Sequence, residues 1–244
     1  ARETAGRLKI ACPIIPRIAN FDDLDPIKAE SSVELVMVPP GQPIPGDCAL
    51  IVLPGSKATI ADMKAMREQG WDIDILAHHR RGGKVLGICG GYQMLGRRIA
   101  DPEGIEGPPE DIPGLGLLDV ETVLTGDKAL RQVAGTALDQ AFTGFEMHMG
   151  VTSGPDCRHP FALLGEGRPD GATSADRQVT GTYVHGAFAS TALRSALLGM
   201  LGAQSDGIDH DAKVDDALNA IAAELEHHLV VDGLLKLAMG KDDA

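Results

Sequence analysis

The sequence predicts an α/β fold, a doubly wound, mostly parallel sheet flanked by helices, with additional antiparallel strands in the C-terminal half. Three observations carry that prediction. Runs that are apolar throughout, "CALIVLP" and "KVLGI", alternate with segments of helical periodicity, as expected of strands covered by helices on both faces. Beyond residue 114 the helical periodicity gives way to strand-like runs. Finally, 244 residues with 43% hydrophobic side chains suffice to bury roughly 70% of the unfolded surface. We expect one domain over 1–244.

Taken in order, "RLKIACPII" reads as a strand, "PRIANFDDLDP" as a loop and "VELVMV" as a second strand. "CALIVLP" is the third. From Thr59 to Gln69, Ile60, Met63 and Met66 recur at helical spacing. A further helix runs from Trp71 to Arg81, with His78, His79, Arg80 and Arg81 in its last turn and Gly82-Gly83 as its stop. "KVLGI" is the next buried strand, and "GGYQMLG" opens the next helix. Residues 101–114, "DPEGIEGPPEDIPG", are rich enough in Pro and Gly to predict a surface loop. "LGLLDVETVL", "GFEMHMG", "FALLG" and "QVTGTYVHG" then read as strands. Val214, Leu218, Ile221, Leu225 and Leu229 form one stripe of a terminal helix.

The charge excludes several function classes. The formal net charge is −13, from 35 acids against 22 bases with no basic stripe, so the surface repels nucleic acid and anionic lipid. No apolar run approaches the length of a membrane span. The four cysteines, Cys12, Cys48, Cys89 and Cys157, include no C-x-x-C pair, and with no signal peptide a reducing cytoplasm is the expected location.

Cys89 lies in Gly87-Ile88-Cys89-Gly90-Gly91, the thiol version of the G-x-S-x-G nucleophile elbow. A strand that turns sharply into a helix has no room for Cβ atoms beside the nucleophile, hence the glycines. The helix N-terminus behind it favours thiolate over thiol, and the Gly90 N–H is placed to receive an oxyanion. The other three cysteines lack such a setting and read as structural.

A thiolate nucleophile needs a base. Among the eight histidines, His78 and His79 read as helix C-terminal charge, His227 and His228 as terminal-helix surface, and His159 and His210 as loop residues. Glu224 and His228 lie four apart, too few ligands for a metal; no metal is expected. "GTYVHG" puts His185 at a strand end where it projects into a crevice. "FEMHMG" puts Glu146 and His148 on one strand face. A strand-end histidine is more often structural, but an elbow cysteine in the same sheet makes His185 the better base. "IVLPGSKATI" breaks at Pro54-Gly55-Ser56, whose N–H groups could complete an oxyanion hole.

An oxyanion turn, then G-x-C-x-G-x-Q, then a strand-end His resemble the class I glutamine amidotransferases, with Gln93 at the glutamine of that signature. "LPGSKATI", "GICGGYQMLG", "GFEMHMG" and "GTYVHG" together look more narrowly like the glutaminase domains of cobyric acid synthases. "PRIANFDDLDP" and "VDDALNAIAAELEHHL" extend the likeness over nearly the whole chain. Relatives that amidate cobyrinic acid or the lipid precursor of the cell wall carry a glycine-richer oxyanion turn than P-G-S-K.

The resemblance implies a class I glutamine amidotransferase-like fold and glutamine as substrate. It implies Cys89 as nucleophile, His185 as base, and Gly55, Ser56, Gly90 and Gln93 as oxyanion or substrate-binding residues. The ammonia would serve ATP-dependent amidation of adenosylcobyrinic acid a,c-diamide at its b, d, e and g carboxylates. No cofactor is expected in this chain. Neither Gly83-Lys84 nor Gly240-Lys241 completes a G-x-x-x-x-G-K-[ST] phosphate cradle, so ATP, Mg and the corrinoid are expected on an N-terminal synthetase domain. The opening Ala1-Arg2-Glu3-Thr4, without Met, fits the C-terminal part of a longer enzyme. One departure stands out: two residues after the base, where the class has a Glu that orients it, this chain has Ala187. A Cys–His dyad, or a third member from elsewhere, with Glu146 as a candidate, is the expectation. The alternatives are a glutaminase serving another amidoligase and a silent glutamine-binding module; Cys89 and His185 favour an enzyme.

Overall fold

The computed structural model describes residues 6–239; Ala1-Arg2-Glu3-Thr4 and Gly240-Lys241 lie outside them. The chain divides into two compact units, Ala1–Ile208 and Asp209–Ala244. The first begins with β1 (Leu8–Pro13), β2 (Ile18–Ala19), a 3-10 turn over Phe21–Leu24, α1 (Asp25–Lys28) and β3 (Val33–Val38). It continues through β4 (Leu50–Leu53), β5 (Gly55–Ser56), α2 (Thr59–Glu68), α3 (Trp71–Arg80), β6 (Lys84–Ile88) and α4 (Gly90–Leu95). Next come β7 (Arg98–Asp101), β8 (Glu110–Pro113), β9 (Glu121–Ala137), β10 (Gln140–Ser153), β11 (Ala162–Leu164) and β12 (Arg168–Asp170). β13 (Ala172–Thr173), β14 (Val179–Thr182), β15 (Val184–His185) and α5 (Thr191–Met200) complete the unit.

Strands β3, β1, β4, β6 and β14 pair in parallel in that order, with β13 antiparallel at the edge. All four residues of β4 are buried, because apolar layers cover both faces of the sheet. Met63, Met66, Trp71 and Ile75 from α2 and α3 belong to one layer. Leu24, Ile27, Leu193 and Leu198 from the opening turn, α1 and α5 belong to the other. The chain leaves β1 for β3 on one side and reaches β4 on the other, so the strand order reverses there. Crevices form outside the carboxyl ends of strands at such a reversal. The neighbours β4, β6 and β14 end there, delivering Gly55, Cys89 and Tyr183.

A second sheet, ordered β12-β11-β9-β10-β15 with β7 and β8 joined to it through β9, is mostly antiparallel. It corrects three expectations. Residues 101–114 are not all loop, since β8 pairs with β7. Arg98 binds Asp111 across that pair, and Pro113 stands at its last position. The strand expected from Leu115 begins only at Glu121. "QVTGTYVHG" is not one strand: β14 ends at Thr182, and Val184–His185 pairs with β10 in the second sheet. Buried Asp170 makes the break by accepting from Thr182 Oγ1 at 2.5 Å and from the Tyr183 N–H at 3.3 Å.

The buried Glu30–Arg194 pair ties α5 to the turn before β3. Arg194 Nε donates to Glu30 Oε1 at 2.5 Å, and its other nitrogens bond the carbonyls of Phe188, Ala189 and Ile208. Both side chains are 1% exposed. Breaking such a pair strands a buried charge, at a cost of about 3–5 kcal/mol. Arg194→Met should lower unfolding stability by that amount, measured by urea denaturation; a loss under about 1 kcal/mol would contradict the account.

The second unit consists of α6 (His210–His228) and α7 (Val231–Ala238). The predicted stripe Val214, Leu218, Ile221, Leu225 and Leu229 is exposed. Among the described residues no helix is long and apolar enough to cross a membrane.

Candidate active site

The elbow glycines are a packing requirement. A Cβ on Gly87 would lie 2.6 Å from the Gly91 carbonyl oxygen, and one on Gly91 would lie 2.1 Å from that of Leu53. Helix α4 therefore starts directly on the ends of β6 and β4. That sharp entry holds Cys89 at φ 52°, ψ −108°, a conformation that non-glycine residues adopt only when their surroundings impose it. Its N–H donates to the Thr182 carbonyl of β14 at 2.8 Å. Its Sγ stands 3.5 Å from the Met147 carbonyl of β10. The thiol faces a cleft of about 320 Å³ lined by Asn20, Ser56, Gln93, His148 and His185, among others.

His185 reaches the same cleft from β15. It is fully buried and stacks on Phe145 with ring centroids 5.3 Å apart. Its Nδ1 lies 2.7 Å from Asp23 Oδ2, while the other Asp23 oxygen accepts the Gly186 N–H at 2.7 Å. Burial pulls the imidazole pKa down, but the hydrogen bonds with Asp23 and Cys89 outweigh it and raise His185 to about 10. The Asn20 amide nitrogen stands 3.3 Å from Nε2.

Asp23 is the residue that sequence reasoning missed. It sits in the "NFDDLDP" segment among acids that look solvated, yet it is 8% exposed. Nothing in the local pattern separates it from Asp22. Glu146 does not reach His185: its carboxylate is bound by Arg131 and by Arg168, whose Nη2 is 2.7 Å away. His148 lines the cleft but stacks on Tyr183, centroids 3.7 Å apart, with a buried Nδ1 that has no partner among the described residues. Burial holds it below the ordinary imidazole range.

The remaining predicted residues converge on the thiol. Gly55 and Ser56 form β5, paired with β2, and a Cβ on Gly55 would lie 3.0 Å from His185 Cε1. Gly90 packs on Ser56, with its ideal Cβ 2.8 Å from the Ser56 nitrogen. Ser56 Oγ donates to buried Asp62 at 2.6 Å, and burial raises the Asp62 carboxyl pKa. Gln93 is buried; it accepts from Thr59 Oγ1 at 2.8 Å and donates to the Met149 carbonyl at 2.9 Å and the Tyr183 hydroxyl at 3.2 Å. Of the histidines set aside, His78 is no surface charge: it is 3% exposed and lies 3.0 Å from the Lys84 carbonyl. Burial lowers its pKa. His79 does face solvent, 2.9 Å from Asp176.

The arrangement sets a strained cysteine in one cleft with an imidazole hydrogen-bonded to a buried carboxylate, with backbone N–H groups at a helix start. Such a set performs acyl transfer from amides. Comparison with known proteins agrees. The profile of the CobB/CobQ-like glutamine amidotransferase domain matches residues 9–193. The chain is 63% identical over 233 residues to a cobyric acid synthase of Rhizorhabdus wittichii, covering 96% of this chain and 48% of that protein. Against the Novosphingobium aromaticivorans cobyric acid synthase it is 59% identical over 239 residues, covering 98% and 49%. The chain thus spans about half the length of the curated relatives it matches. Among solved structures, PurLQS from Thermotoga maritima aligns with a TM-score of 0.57 at 17% identity, over 88% of this chain and 99% of that one. A structure titled as a glutamine amidotransferase aligns with a TM-score of 0.52 at 16% identity, over 79% and 98%. These two likenesses establish the shared class I amidotransferase fold.

Proposed function

This chain belongs to the CobB/CobQ-like glutamine amidotransferase family, and from that premise we propose that it hydrolyses glutamine to supply ammonia for corrinoid amidation. The observation that carries the reading is Cys89, strained at an elbow, beside a His185 that Asp23 orients and keeps protonated. The Cys89 thiolate attacks the side-chain amide carbon of glutamine. The developing oxyanion would be held by the backbone N–H groups of Gly55 and Gly90. His185, carrying the proton taken from the thiol, passes it to the departing nitrogen, which leaves as ammonia. Water then cleaves the thioester, releases glutamate and restores the thiol. Asp23 takes the orienting role that the class gives to a Glu two residues after the base.

The acceptor reading rests on the likeness to cobyric acid synthases. We take residues 1–244 as the glutaminase domain of a cytoplasmic enzyme that makes adenosylcobyric acid from adenosylcobyrinic acid a,c-diamide in cobalamin biosynthesis. The half of those relatives that lies outside this chain would carry the ATP-dependent activation. Coupled enzymes generally delay one step until the partner site is ready, so glutamine turnover by this chain alone should be slow. Ammonia release measured with and without an added synthetase half, ATP and the corrinoid should rise about tenfold or more with the additions. Full turnover by the chain alone, indifferent to them, would overturn the coupling. Corrinoid amidation by this chain alone would overturn the division of labour.

A further inference from the structure

We propose that Glu106 and Lys57 select the substrate by its α-amino acid head, Glu106 taking the α-ammonium group and Lys57 the α-carboxylate. The inference deepens the glutaminase reading and rests on it. Both residues line the cleft that holds Cys89 and His185. An amide side chain that reaches the thiol leaves its charged head among the cleft's other residues, and these two offer the opposite charges that a zwitterion requires.

Glu106 is built into place. Asp101, 1% exposed, accepts the N–H groups of Ile105 at 2.7 Å and Glu106 at 2.8 Å, which pins the Gly-rich loop. Glu106 Oε2 then accepts the Ile60 N–H in the first turn of α2 at 3.2 Å. Its other oxygen makes no hydrogen bond or ion pair with the described residues and is available to a cation. Lys57 follows the oxyanion turn directly, and its backbone N–H donates to the Arg17 carbonyl at 2.9 Å. Its side chain is exposed and makes no ion pair among the described residues. Neither residue is needed for the chemistry at the thiol; both bear on what is admitted to it.

The test uses three amides that share the scissile group. Glutamine has both charges, glutaramate lacks the α-ammonium, and 4-aminobutanamide lacks the carboxylate. Each is assayed on the whole chain for protection of Cys89 against iodoacetamide, resolved by peptide mass, so that slow turnover does not mask binding. Glu106→Gln keeps an oxygen for the Ile60 N–H but loses the charge. It should weaken protection by glutamine and 4-aminobutanamide about tenfold while leaving glutaramate unchanged. Lys57→Met should weaken glutamine and glutaramate about tenfold and spare 4-aminobutanamide. Glu106→Asp, which restores the charge, should recover part of the preference. If both variants weaken all three amides alike, or none of them, the assignment is wrong. If wild-type Cys89 is protected by none of the three, the glutaminase reading itself fails, and this inference with it.

Discussion

Cys89→Ala should abolish glutamine hydrolysis, lowering ammonia release by about 10⁴-fold or more, while the protein melts as the wild type does. The loss is large because no other thiol of the described residues lines the cleft. Cys12 is buried, with burial pushing its thiol up to about 12. Cys48 is buried against the Pro45 carbonyl, and Cys157 lies 3.7 Å from the Tyr92 hydroxyl, away from the cleft. The fold should tolerate the change because Ala keeps a Cβ at φ 52° and so keeps the existing strain. Cys89→Gly relieves that strain and should be more stable than Cys89→Ala by about 1–3 kcal/mol in thermal or urea unfolding. Ammonia release retained in Cys89→Ala would sink the mechanism. Equal stability of the two variants would show that the elbow stores no strain.

Asp23→Asn should cut hydrolysis by about a thousandfold with little change in overall fold, since an amide can present its N–H to Nδ1 and stabilise the wrong tautomer. The pH dependence gives a second readout. In the proposed mechanism His185 carries the proton that releases ammonia, and that proton is lost as pH rises through about 10. The wild-type rate should therefore hold to about pH 9 and fall above it. Asp23 raises the His185 pKa, so removing its charge lowers that pKa and moves the alkaline limb towards neutral pH. An unchanged limb in Asp23→Asn, or unchanged activity, would remove Asp23 from the site. The corresponding change at Glu146 should leave the limb where it is, because that carboxylate is committed to Arg131 and Arg168.

By itself the sequence determined the features whose cause is local. Apolar runs alternating with helical periods specify a parallel sheet because a strand buried on both faces shows no polar alternation, and parallel neighbours need a crossover that is usually a helix. The elbow is legible because its requirement is steric and falls on adjacent residues: Gly87 and Gly91 cannot carry a Cβ where α4 begins. His185 is legible for a similar reason, standing at the end of an apolar strand before a glycine. Tertiary structure alone decided which carboxylate meets His185. Asp23 and His185 are 162 positions apart, and an acid in a polar loop carries no local sign that a distant strand end will bury it. His78 shows the same limit, since its place in a cationic helix terminus suggests solvent, yet it packs against Gly83 and the start of β6. The break between β14 and β15 also belongs to tertiary structure. It depends on Asp170 arriving from β12 to bind Thr182 and Tyr183, and that contact turns one apolar run into members of two sheets. Periodicity reports what a residue's neighbours in sequence require; burial, charge pairing and sheet exchange depend on groups brought together only when the chain has folded.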